Sequence, residues 1–344
     1  MSKFRVGITR DFLSADGTLG YGDIGLALLD QPNVEREFLL SSEMEISPAV
    51  ADAYDALLVL APRVSERTLA GCRRLGLVAR FGVGYDTVDV PACTRNDVLL
   101  SITPDGVRRP VAVSALTLIL ALSHKLLIKD KLIRAGRWSD KLDHLGMGLT
   151  GRTLGVIGLG NIGREVFRVA LPLGMRHVGH DPFVAADQAT AMGVQWLELD
   201  RLLAEADFVV ICCALTATTR RLIDARRLAL MKPTAYLINV ARGPIVDQAA
   251  LTAVLKERRI AGAGLDVFDP EPIDPRDPLL ALDNVILSPH ALCWTDECFA
   301  GNGRSACEAI LDYAAGRPPR HVVNREVLDR PGMQAKLKRF ATIV

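Results

Sequence analysis

The chain has 344 residues, 49% of them apolar and 24% charged. That composition fits a globular protein of about two domains and excludes a disordered, fibrous or short single-module chain. Lys and Arg number 41 against 40 for Asp and Glu, a formal net charge of +1, so no global field holds nucleic acid or an anionic membrane, and any anion is bound locally.

Seven cysteines without CxxC spacing point to neither a disulfide framework nor a zinc site. The N-terminus, MSKFRVGITRDF, lacks the apolar stretch of a signal peptide, and the most apolar window, residues 111–122, is short for a bilayer. A reducing, cytoplasmic setting is expected. In chain order, residues 4–9, 56–60 and 77–81 read as strands and 65–74 as a helix. Turn chemistry at 101–106 then precedes a long apolar helix from about 107 through 121 towards 131.

From residue 153 the alternation becomes regular. Strands are predicted at 154–157, 177–180, 208–212, 235–239, 262–266 and 285–287, with helices at 162–171, 198–205, 224–230 and 248–257 between them. Crossovers of that length join parallel strands, which makes the fold class α/β with a doubly wound sheet. A last helix is predicted at 305–314. The final fifty or so residues are too few to form a domain alone and are expected to pack back onto another part of the chain.

The apolar run ending at Gly158 leads directly into GLGNIG and then a helical pattern. In that context Gly158 permits a tight turn, Gly160 lets backbone approach a pyrophosphate, and Gly163 lets the helix sit close to the strand. Asp181, ending the next strand, stands where an acidic residue meets the adenosine ribose. No Lys or Arg lies between Pro182 and Asp200 to neutralise a 2′-phosphate, so the expected cofactor is NAD rather than NADP.

Three residues suit hydride chemistry on a hydroxy acid, which needs a carboxylate anchor, a carbonyl polariser and a proton donor or acceptor. Arg242 follows the strand at 235–239, on the edge where open α/β sheets bind ligands, and its planar fork can grip a carboxylate. His290 follows the last strand, and Glu271 follows another strand of the same sheet between Pro270 and Pro272. A carboxylate beside an imidazole favours its protonated form and sets its tautomer. Taken singly, each also fits a surface ion pair or an ordinary loop residue; their shared edge favours chemistry.

Beyond these, RFGVGYD at Arg80 to Asp86, Val88 with Asp89, Thr103 with Pro104, NVARGPIVD at Asn239 to Asp247, GLDVF from Gly264 with Glu271, and SPH ending at His290 recur as a set. The chain resembles the D-isomer-specific 2-hydroxyacid dehydrogenases, which include phosphoglycerate, D-lactate and formate dehydrogenases and glyoxylate/hydroxypyruvate reductases. The resemblance covers nearly the whole length. It implies two Rossmann-like doubly wound parallel-sheet domains, with a discontinuous substrate domain at 1–105 and 297–344 around an NAD domain at 106–296. It implies His290 as acid/base, Glu271 as its support, and Arg242 as substrate anchor and aid to nicotinamide placement. The substrate carboxylate would be received at the backbone of Val83 and Gly84.

The resemblance further implies that Asn161 and Ile162 contact the pyrophosphate, that Asp266 accepts from the nicotinamide amide, and that Val240, Ala241, Arg242 and His290 border the cofactor. A homodimer reached through residues 125–149 is implied, with a small 2-hydroxy or 2-oxo acid as substrate and no nucleic acid, membrane or metal partner. Two departures bear on these expectations: Trp294 stands where small residues are usual and reshapes the substrate pocket, and Cys212 and Ala214 replace a His and a Pro near the adenine. Two other readings share the motifs, an NAD-sensing protein of the corepressor type and a phosphite or formate dehydrogenase. The first is disfavoured by the lack of a long tail or basic patch, the second by the lack of an Asn-rich substrate loop.

Overall fold

Twelve strands run through the computed structural model, which describes residues 3–340, and they assemble into two sheets whose ladders are all parallel. The first sheet has the order β2-β1-β3-β4-β5, from β1 (Phe4–Ile8), β2 (Val34–Phe38), β3 (Ala56–Val59), β4 (Leu77–Arg80) and β5 (Leu99–Ser101). The second has the order β12-β11-β10-β9-β6-β7-β8. Its strands are β6 (Thr153–Ile157), β7 (Arg176–His180), β8 (Gln195–Trp196), β9 (Phe208–Ile211), β10 (Tyr236–Asn239), β11 (Gly262–Leu265) and β12 (Val285–Leu287). The chain divides into two compact units, Met1–Val107 with Trp294–Val344 and Arg108–Cys293, so the first is made of two chain segments.

Central strands such as β3, β6, β9 and β10 are buried at every position, because parallel sheets are covered on both faces and their strands are apolar throughout. In the second sheet the order reverses between β6 and β9, and the carboxyl ends of those two strands frame the crevice where doubly wound sheets bind ligands.

The tail joins the first unit by pairing and packing. Asn324 is buried; its side-chain oxygen accepts from the Leu100 amide at 2.9 Å and its amide group donates to the Val98 carbonyl at 2.9 Å, which clamps β5. Phe340 meets Phe4 edge-on, with ring centroids 5.0 Å apart, and the helix Pro331–Phe340 buries Met333 and Leu337 against the same core.

Several elements differ from expectation for local reasons. The helix placed at 65–74 is only Glu66–Leu69, because Gly71 turns into the left-handed region at φ 72°. The long apolar helix starts at Pro104 and stops at Ser123; Lys125 at φ 52° breaks it, and a second helix runs Leu126–Arg134. The 20-residue first helix is long and apolar enough by length and composition to cross a membrane, which the 12-residue window read from the sequence understated. It buries 61% of its apolar window inside the protein, with Ala112, Ala115, Leu118, Ile119 and Leu122 in the core of the second unit.

The last long helix begins at Asp296, not 305, and is capped by the Thr295 hydroxyl accepting from the Cys298 amide at 3.2 Å. The strand β2 escaped the sequence because its VEREF run places three charges on an edge strand paired only to β1. The three-residue β5 and two-residue β8 are too short to show a period.

Candidate active site

The three glycines of GLGNIG have separate physical reasons. Gly158 sits at φ 96°, and a β-carbon there would lie 2.6 Å from the Cys213 amide nitrogen. At Gly163 a β-carbon would lie 2.0 Å from the Gly158 carbonyl oxygen, so only glycine lets the helix Asn161–Ala170 approach the turn. A β-carbon on Gly160 would meet nothing within 4 Å, leaving the space that a pyrophosphate needs. Gly160 is the N-cap of that helix and no side chain caps it, so the first-turn amides of Asn161, Ile162 and Gly163 lack the usual side-chain acceptor.

Asp181 closes the same loop from the next strand: its carboxylate accepts from the Leu159 amide at 2.8 Å and the Phe183 amide at 2.9 Å. Beyond the end of β9, burial pushes the Cys213 thiol up to about 11 and raises Cys212 as well, which disfavours the thiolate at both.

On the other arm of the sheet, the loops after β10, β11 and β12 carry the ionisable residues. His290 Nδ1 lies 2.8 Å from Glu271 Oε2, while Glu271 Oε1 accepts from the Phe268 amide at 2.9 Å. Burial pushes the Glu271 carboxyl up, but the bonds from His290 and the Phe268 amide and the charges of His290 and Arg242 outweigh it, leaving the group below its ordinary value. An ionised carboxylate only accepts, so Nδ1 of His290 is the donor and Nε2 is left for a substrate. His290 sits at φ 55°, in the left-handed region that a non-glycine residue enters at a cost, and the loop around it has to hold it there.

Asp266 supplies that hold. It is buried at the end of β11, and its carboxylate accepts from the amides of Ala291 at 3.0 Å and Leu292 at 3.1 Å. Burial raises its pKa, partly offset by the Ser288 hydroxyl, those two amides and the charge of His290. Its observed partners therefore flank His290, the Ser288 hydroxyl before it and two backbone amides after it, whereas the resemblance implied a nicotinamide role.

Arg242 ends the loop after β10, with its guanidinium donating to the Ala241 carbonyl at 2.7 Å. Asn239, 1% exposed, fixes this loop: its side chain accepts from the Ala241 amide at 3.1 Å and donates to the Arg242 carbonyl at 3.0 Å. The positions of Val240, Ala241 and Arg242 follow from that one buried amide.

In the first unit, β4 runs into Phe81, Gly82, Val83 and Gly84. Gly82 is held from both sides by Thr103: the Thr103 hydroxyl accepts from the Gly82 amide at 2.7 Å, and the Thr103 amide donates to the Gly82 carbonyl at 3.0 Å. The same hydroxyl donates to the buried Asn302 side chain at 2.7 Å. Among the described residues, the Val83 and Gly84 amides donate to no protein group. Trp294 belongs to this unit and is 51% exposed. Thus Arg242, Glu271 and His290 are brought together on one edge of the second unit, whereas Val83, Gly84 and Trp294 lie in the other.

Residues 116–291 match the family described as D-isomer specific 2-hydroxyacid dehydrogenase, NAD binding domain. A glyoxylate reductase of Thermococcus onnurineus is 36% identical over 313 residues, 89% of this chain and 91% of that protein. The chain belongs to the D-isomer specific 2-hydroxyacid dehydrogenase family. It is an NAD-dependent oxidoreductase of that family. Among other relatives, a D-3-phosphoglycerate dehydrogenase of a Synechocystis species is 37% identical over 300 residues, 87% of this chain but 53% of that protein. The structure of a D-lactate dehydrogenase from Aquifex aeolicus, complexed with NAD and lactic acid, superposes with TM-score 0.79 at 25% identity, covering 93% of this chain and 99% of that one.

Three positions in this 2-hydroxyacid dehydrogenase support the site without having been given a role from the sequence: Asn239, Thr103 and Asn302. Asn239 and Thr103 lie within the motifs that carry the resemblance, and an Asn ending a buried strand just before Arg242 is a signal that was there to read. The Thr103 bond to Asn302 joins residues 199 positions apart and leaves no local trace.

Proposed function

We propose that the enzyme interconverts a small 2-oxo acid and its D-2-hydroxy acid, with His290 as acid/base, Glu271 as its support and Arg242 as the substrate anchor. When bound, the nicotinamide cofactor would supply a hydride as NADH for reduction of the carbonyl carbon and would accept one as NAD in oxidation of the alcohol. The first-turn amides of Asn161 and Ile162 and the open face of Gly160 suit the pyrophosphate, and Asp181 suits the ribose. Asp266, Val240 and Ala241 border the nicotinamide end. In reduction, His290 Nε2 donates its proton to the carbonyl oxygen; in oxidation it takes the hydroxyl proton, and Glu271 carries the charge of the imidazolium in both directions. The guanidinium of Arg242 neutralises the substrate carboxylate and donates to the oxygen on which negative charge develops. The amides of Val83 and Gly84 receive the same carboxylate, which assigns the first unit to substrate and the second to NAD.

The observation that carries this reading is the 2.8 Å contact between His290 Nδ1 and Glu271, with Arg242 close enough to lower the same carboxyl. NADH oxidation measured with glyoxylate, hydroxypyruvate, pyruvate and 2-oxoglutarate tests it. His290→Ala is expected to lower kcat/KM by about 10²–10⁴-fold; full activity in that variant sinks the mechanism.

The working form is a homodimer through the second unit. Trp138, Leu142 and Leu145 are 68%, 72% and 70% exposed, next to the exposed Leu126 and Ile133, an apolar surface of the kind that marks an interface. Sedimentation at micromolar concentration should give twice the chain mass, and a monomer there refutes this assignment.

A further inference from the structure

The strand order of the first sheet, β2-β1-β3-β4-β5, reverses at β1: the chain passes from β1 to β2 on one side, and β3 and its successors lie on the other. Doubly wound sheets of that order bind ligands outside the carboxyl ends of β1 and β3. The Val83 and Gly84 amides follow β4, one strand further on, so the crevice at the reversal has no ligand assigned to it. It holds a cavity of about 270 Å³ within the first unit, lined by residues between 10 and 15 after β1, by Ser41, Ser42 and Met44 after β2, and by Pro62 after β3. At about 30 Å³ per water molecule this is room for roughly nine waters, which suits a small molecule and not a nucleotide.

The walls of this cavity are tied down, but its polar groups are not satisfied. Asp11 Oδ2 accepts from the Ala61 amide at 2.7 Å, which fastens the loop after β1 to the end of β3. The Met44 carbonyl accepts from the Arg63 amide at 2.7 Å, which fastens the loop after β2. Asp11 Oδ1, by contrast, is buried without a hydrogen-bond partner. Among the described residues, the exposed Arg10 guanidinium has no ion pair and the hydroxyls of Ser14 and Ser42 bond to no protein group. A cation beside an anion makes the cavity neutral as a set, so a phosphate or plain carboxylate drawn by Arg10 is repelled by Asp11. A zwitterion satisfies both. Leu13, Met44 and Pro62 give the same cavity an apolar side, on which Met44 is 65% exposed.

We propose that this cavity binds an α-amino acid with an aliphatic side chain. The ammonium group donates to Asp11 Oδ1 and relieves an oxygen that otherwise lacks a partner. The carboxylate accepts from the planar fork of Arg10, with the Ser14 and Ser42 hydroxyls as further donors. The hydrocarbon side chain covers Leu13, Met44 and Pro62. Because backbone bonds already hold the walls, little ordering accompanies binding. None of these residues belongs to the set assigned to substrate or NAD, so the site stands or falls independently of the hydride-transfer reading.

The test is calorimetric titration of the full-length enzyme with L-leucine, which should bind once per chain with a Kd of about 1 mM or tighter. 4-Methylpentanoate, which lacks the ammonium, and 3-methylbutylamine, which lacks the carboxylate, should each bind about tenfold more weakly or worse. Arg10→Gln should weaken leucine binding by about tenfold or more, and so should Asp11→Asn, which keeps an acceptor for the Ala61 amide. Arg10 is exposed, so its variant tests the site without threatening the fold. Arg242→Gln, which removes the substrate anchor, should leave leucine binding unchanged. No saturable binding of leucine at about 10 mM overturns the assignment. Binding of 4-methylpentanoate as tight as that of leucine also overturns it, and so does leucine binding that survives Arg10→Gln or is lost in Arg242→Gln. Absence of turnover with every 2-oxo acid sinks the hydride-transfer reading and leaves this site standing.

Discussion

The two units build the elements assigned above to the substrate from different materials. On the second unit, the loops after β10, β11 and β12 display charged side chains whose roles are set by one another: Glu271 against His290, Arg242 within reach of Glu271, and Asp266 under the loop that follows. On the first, the segment after β4 displays backbone amides, and the side chains that matter, Thr103 and Asn302, are buried beneath it. Proton transfer requires groups that change charge, which only side chains supply, whereas a carboxylate can be bound by amides fixed in space. The difference predicts that damage to the first region appears mainly in KM and damage to the second mainly in kcat.

Glu271→Gln gives the largest expected effect on that contrast. The amide keeps the shape but cannot carry the imidazolium charge, so kcat should fall by about 10²-fold with KM little changed. The pH dependence follows from the direction of the Glu271 shift. Its folded pKa lies below its unfolded value, so the ionised carboxylate favours folding above roughly pH 4 and that contribution is lost as pH falls through the folded value. Activity in the parent should decline on the same acid side as the carboxylate protonates, and the Gln variant should lack that limb. An unchanged acid limb would show that another group is responsible.

This contrast also explains what the sequence made legible. GLGNIG with Asp181 and the placement of Arg242, Glu271 and His290 after strands could be read because apolar runs mark strands and strand ends mark the binding edge. What escaped depends on pairs far apart in sequence: Thr103 with Asn302, Asn324 with β5, and the ring contacts of Tyr21 with Trp294 and Phe299. Short-range misses have local causes, such as Gly71 ending a helix early and Lys125 splitting another at φ 52°. Trp294 was noticed as a departure from small residues, but its aromatic company was visible only once the chain had folded.

Within the second unit, the glycine pair separates binding from folding. Gly160→Ala adds a β-carbon to open space at an ordinary φ of −73°, so thermal unfolding should be unchanged while the dissociation constant for NADH rises by about tenfold or more. Gly163→Ala drives a β-carbon into the Gly158 carbonyl and should cost roughly 1–3 kcal/mol of stability before any cofactor is added. Equal stability losses in the two variants would remove the distinction between the glycine that serves the ligand and the one that serves the helix.

The smallest expected effect probes the first unit through Thr103→Val. The substitution keeps the volume but leaves the half-buried Gly82 amide without its 2.7 Å acceptor and the buried Asn302 side-chain oxygen without its donor. An unsatisfied buried group costs about 1–3 kcal/mol. Part of that loss is relieved by movement of the loop, so KM for the 2-oxo acid should rise a few-fold, roughly 3–10-fold, with kcat nearly constant. Thr103→Ser restores the hydroxyl and should restore KM. If Thr103→Val lowers kcat instead, the loop after β4 takes part in the chemical step, and the division of labour between amides and charged side chains drawn above is wrong.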